Sequence, residues 1–113
     1  DIRKVIVSDD KLSAALNYLA ADPHPLAAAR ARLFNAENAS KEAWARAFLA
    51  ADGSVEARKA AAEIDAGLKI AKAEHAAAID EVENQKRLCT GAEMLIECWR
   101  TEQSNIRAAE KVR

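Results

Sequence analysis

The chain has 113 residues, which suits one domain, and 50% of them are apolar, although much of that share is alanine. Alanine favours helix strongly and a bulky core only weakly. With 17 basic and 18 acidic side chains, bulk attraction to nucleic acid or to an anionic membrane is not expected, though a local patch could still act, and three glycines and two prolines leave few turns.

Residues 1–7, DIRKVIV, form the one stretch with β character. No second strand is offered for it to pair with, so a loose N-terminal arm is expected, the alternative being an edge that pairs with another chain. Ser8 then reads as an N-cap, with Asp9 and Asp10 in the first turn, where carboxylates complement the helix dipole. Leu12, Ala15, Leu16 and Leu19 come next at helical spacing, with Tyr18 beside them. They predict a short amphipathic helix over about residues 9–21. The segment Asp22-Pro23-His24-Pro25 stops it, and Pro25 suits the first turn of the next helix.

That second helix is expected over about residues 25–51. Its polar middle, Glu37-Asn38-Ala39-Ser40-Lys41, could hold a break, but no full capping box supports one. Asp52-Gly53 is the clearest turn, since glycine supplies the left-handed residue that ends a helix, and Ser54 caps the third helix. This third helix, over about residues 54–64, meets Asp65-Ala66-Gly67, where Asp65 is a plausible N-cap, but Ala57, Ala61 and Ile64 lie in phase with the Leu68 seam, so a kinked or two-part helix is expected.

The longest element is expected over about residues 67–108. Leu68, Ala71, His75, Ala78, Val82, Gln85, Cys89, Ala92, Ile96, Trp99, Gln103 and Ile106 step alternately by three and four residues. This is the a/d rhythm of a helix burying one narrow seam over roughly 60 Å. The expected fold is all-α: a long antiparallel helical hairpin, coiled-coil-like, with a short N-terminal helix, forming one helical domain over residues 8–113. Alanine-rich partners cover such a seam poorly. Leu68, His75, Val82, Cys89 and Ile96 are therefore candidates for the seam of a homo-oligomer.

Catalytic patterns are not found. The dispersed Gly53, Gly67 and Gly91 write neither a P-loop nor a dinucleotide fingerprint. Cys89 and Cys98, nine residues apart on one helix, fall on opposite faces about 13 Å apart, too far for a disulfide and divergent for zinc. His24 sits in a turn and His75 on the seam. Glu74, Asp80, Glu81 and Glu83 read as a solvated acidic face, and Arg30, Arg32, Lys41 and Arg46 as an ordinary charged one. Neither an enzyme nor a bound cofactor or metal is expected. No apolar run approaches the ~20 residues that cross a bilayer, and no signal-peptide pattern is present, so a cytoplasmic protein is expected.

The C-terminal segment offers the best candidate contact. Trp99, Arg100, Gln103, Asn105 and Arg107 bring an aromatic ring, two guanidinium groups and two amides into about two turns. Trp and Arg are enriched at binding hot spots, and Arg with amides suits phosphates and base edges. Against this, Trp99 is in phase with the seam, and the arginines complement a helix C-terminus.

The segments KLSAALNYLA, ARAFLAADGSVEARKA and AEMLIECWRTEQSNIR resemble a group of small Ala- and Glu-rich helical proteins of tailed bacteriophages. The resemblance spans about Ser8 to Arg107, with departures at Asp22-Pro23-His24-Pro25, where relatives are acidic, and at Trp44, where they are polar. It implies a gene context of early-region DNA recombination and replication, and carries no functional residues across. The resulting expectation is a non-enzymatic accessory protein of the host-cell cytoplasm that assists recombination or replication as a helical interaction module. Its partner would be a phage or host protein, with single-stranded DNA a further candidate at the C-terminal segment. The alternatives are an inhibitor or adaptor of a host factor, and a purely structural coiled-coil oligomer.

Overall fold

The computed structural model describes residues 7–112. Among them are four α-helices and no strand: α1 (Asp9–Ala20), α2 (Pro25–Ala50), α3 (Val55–Glu63) and α4 (Ala66–Lys111). The architecture is the all-α antiparallel hairpin with a short first helix.

Each boundary has a local cause. Ser8 and Ser54 hold extended backbone, and their hydroxyls accept the N–H of Lys11 and of Ala57, each at 3.2 Å. Helix α2 runs unbroken through its polar middle, where Lys41–Glu37 and Arg46–Glu42 pair one turn apart at 3.6 and 3.5 Å. Gly53 takes a φ of +105°, a conformation that a Cβ would strain, and this reverses the chain between α2 and α3. Between α3 and α4 the helix is interrupted at Ile64 and Asp65, and the Asp65 carboxylate accepts the Leu68 N–H at 3.0 Å. Asp65→Ala should cost about 0.5–2 kcal/mol by removing this cap, as read by urea unfolding, whereas Asp65→Asn should retain most of it.

Packing groups these helices into two compact units. One comprises Leu26–Asn84, with most of α2, all of α3 and the N-terminal half of α4. In it α2 and α4 run antiparallel, so that Arg32 meets Glu81 at 3.9 Å. Its buried side chains are Ala29, Ala62, Leu68, Ala71 and Val82. Near the turn, Trp44 and Phe48 stack with ring centroids 5.2 Å apart, and the Arg58 guanidinium lies 4.5 Å over the Phe48 ring while donating to the Phe48 carbonyl.

The other unit joins α1 and its flanking residues to the C-terminal half of α4, from Gln85 onward. These helices are also antiparallel. Tyr18, near the end of α1, meets Gln85, while Val7, just before α1, donates its N–H to the Glu102 carboxylate at 3.1 Å. Val7 and Ala15 are the residues of this unit that are fully buried among those described. Of the expected loose arm, only Val7 lies within the described residues, and it is held.

Every position of the α4 seam from Leu68 to Ile106 is buried or half-buried. The periodicity therefore identified the inward side of α4. It did not identify an assembly surface at its most apolar points. Leu68 is 1% exposed and Val82 5%, filled from within the chain, while His75, Cys89 and Ile96 are half-buried.

Candidate functional site

The five C-terminal candidates do not converge. At about 100° per residue, Arg100, Gln103 and Arg107 share one side of α4, and Asn105 falls on the opposite side from Gln103. Trp99 and Gln103 are half-buried on the seam; Arg100, Asn105 and Arg107 are exposed. The Arg100 guanidinium is held at 2.8 Å by Glu97, one turn earlier, so much of its charge is answered locally. Glu102 is occupied by the Val7 N–H. What survives of the expected patch is a row of two arginines and an amide.

A different surface in the same unit is better formed. The Tyr18 hydroxyl lies 2.7 Å from the Gln85 side-chain oxygen and 3.0 Å from its carbonyl oxygen. It accepts the Cys89 thiol at 3.6 Å, and the Tyr18 ring meets the edge of His24 with centroids 5.0 Å apart. This polar cluster ties the end of α1 to α4. Alongside it opens a groove of about 550 Å³ between the two helices, lined by Ala14, Ala15 and Tyr18 from α1 and Leu88, Gly91, Ala92 and Leu95 from α4. Lys11 and Arg87 complete the lining, the only charged members among the described residues.

Local sequence explains this shape. Leu88 and Leu95 stand seven residues apart beside the seam, on its flank rather than its centre, so α1 covers the seam and leaves them at the rim. Leu88 is 48% exposed. At Gly91 an added Cβ would meet nothing within 4 Å, so the groove is open directly above the α4 backbone. These residues lie off the single a/d stripe of α4. The seven-residue repeat of Leu88 and Leu95 was the signal that a second stripe adjoins it.

A second groove, of about 500 Å³, lies between α2 and α4 in the other unit. Alanines form its floor, and the paired Arg32 and Glu81 stand at its edge. Of the acidic residues expected to be solvated, Glu74, Asp80 and Glu83 are exposed, while Glu81 is half-buried and paired with Arg32. Among the described residues no three His, Cys, Asp or Glu side chains are placed to hold a metal, both cysteines are free thiols, and no helix is long and apolar enough to cross a membrane. Comparison with protein-family models, with curated proteins and with solved structures finds no match to this chain.

Proposed function

We propose that this chain is a non-enzymatic helical interaction module whose binding element is the unit formed by α1 and the C-terminal half of α4, and whose partner is a protein. The observation that carries this reading is how thinly that unit is covered. A single 12-residue helix faces the seam, and Leu88 is left 48% exposed in the wall of an open apolar groove, with Met94 63% exposed on the same half of α4. Exposed apolar surface rimmed by polar groups is the usual mark of a protein contact. In the setting that the phage resemblance implies, the partner belongs to DNA recombination or replication, on the phage or the host side.

The test is capture by the full chain beside a Leu88→Glu/Leu95→Glu variant. The expected result is one stoichiometric protein retained by wild type and lost from the variant, with unchanged circular dichroism. Equal retention by both would remove the groove as the binding element.

A contact to single-stranded DNA is the second reading, favoured by the row Arg100, Gln103 and Arg107. Against it stand the Arg100–Glu97 pair and the interleaved acidic residues of α4. Titration at low salt decides between them. The protein-binding reading expects no complex. A complex that weakens with salt with a slope near the ~1.4 of two phosphate contacts, and that is lost in Arg100→Ala/Arg107→Ala, would establish the DNA reading.

A further inference from the structure

We infer that the groove between α1 and α4 receives an amphipathic helix whose apolar row is flanked by carboxylates about two helical turns apart. This rests on the protein-binding reading above and adds the chemistry of the partner. The groove floor is made of small groups, Ala14, Ala15, Ala92 and the bare backbone at Gly91, which allow another helix to approach closely. Leu88 and Leu95 present an apolar wall with a seven-residue repeat, the spacing that the stripe of a helix lying alongside α4 would meet.

Charge selects the occupant. Lys11 and Arg87 are both exposed, both line the groove, and neither is ion-paired with another described residue; among the described residues no carboxylate lines the groove with them. Because Tyr18 sits beside Gln85, Arg87 lies toward the Tyr18 end of the groove. Lys11 lies seven residues back along α1, about 10 Å away. A partner helix with carboxylates at i and i+7 flanking its apolar row would meet both cations, whereas a basic helix would be repelled by both. A second copy docking groove to groove would oppose Lys11 and Arg87 with their own counterparts, so the chain itself is a poor occupant.

The experiment uses the full chain and two synthetic helical peptides with the same leucine stripe. One carries Glu at the flanking i and i+7 positions and the other Lys, and binding is followed by anisotropy. The Glu peptide is expected to bind and the Lys peptide to bind at least about tenfold more weakly, with the preference reversed in Lys11→Glu/Arg87→Glu. Gly91→Trp, which places a ring in the groove where a Cβ has free space, should abolish binding, whereas Gly91→Ala should preserve it. Equal binding of the two peptides, or tighter binding of the Lys peptide, would overturn the acidic partner while leaving a protein-binding groove in place. Failure of both peptides, together with capture indifferent to Leu88→Glu/Leu95→Glu, would overturn both. A dimer in sedimentation that Gly91→Trp dissociates would instead make a second copy the occupant and refute the proposal.

Discussion

Leu68→Ala is expected to remove about 2–5 kcal/mol of stability, the largest loss from any single truncation in this chain. Leu68 is 1% exposed and is the one large side chain fully buried among the described residues. It sits in the first turn of α4, just after the Asp65 cap, so its position is set by local backbone as well as by packing. Other buried residues of its unit include Ala29, Ala62 and Ala71, which have no side-chain length with which to collapse into the space left behind. The cavity term should therefore stay large. Thermal unfolding followed by circular dichroism should place the midpoint more than about 10 °C below wild type. Leu68→Met, which nearly conserves volume, should cost less than about 1.5 kcal/mol. A loss below about 1 kcal/mol for Leu68→Ala would contradict the placement of this residue in the core.

The second large effect has the opposite sign in volume. Ala29 is 0% exposed, one turn into α2. Enlarging it to leucine should force the helices apart or drive the side chain off-rotamer, at a cost of about 1–3 kcal/mol. Ala31→Leu, two residues on and exposed, should stay within about 0.5 kcal/mol of wild type in the same urea titration. The contrast separates a steric effect from any change in helix propensity, because both sites lie in one helix. Equal effects at the two positions would mean that α2 does not make a close contact at Ala29.

That contrast also shows where composition misleads. The high alanine content argued for a weak core, since each alanine buries little area. The structure uses the same residues differently. Ala15, Ala29, Ala62 and Ala71 are all buried, which indicates helices that come close together where no long side chain holds them apart. Close backbone approach offsets part of what small side chains fail to bury, because dispersion between close-packed atoms depends on distance more than on residue size. The seam of α4 was read correctly as the buried side. Its Leu68 and Val82 are covered from within the chain, a point that periodicity cannot make, because it reports that a face is covered and says nothing about what covers it.

The candidate site obeyed the same division. Trp99, Arg100, Gln103, Asn105 and Arg107 were chosen because their residue types bind well and lie close in sequence. Helical geometry then sends Asn105 away from Gln103 and gives Arg100 to Glu97. The groove went unread because its two walls are far apart in the chain. Lys11, Ala14 and Tyr18 meet Arg87, Leu88 and Leu95 only once α1 has folded antiparallel onto α4.

By itself, the sequence determined most of the local structure: the Ser8 and Ser54 caps, the Gly53 reversal, helix ends within a few residues of those found, and the inward face of the longest helix, while the break at Asp65 was one of two readings it allowed. Each arises from interactions within a turn or two, which the order of residues states directly. Only the tertiary structure decided which helix covers which part of that face, and which flank of α4 was left as an apolar groove between Lys11 and Arg87. Those outcomes depend on contacts between residues far apart in the chain, and on volumes and separations that a one-dimensional pattern does not contain.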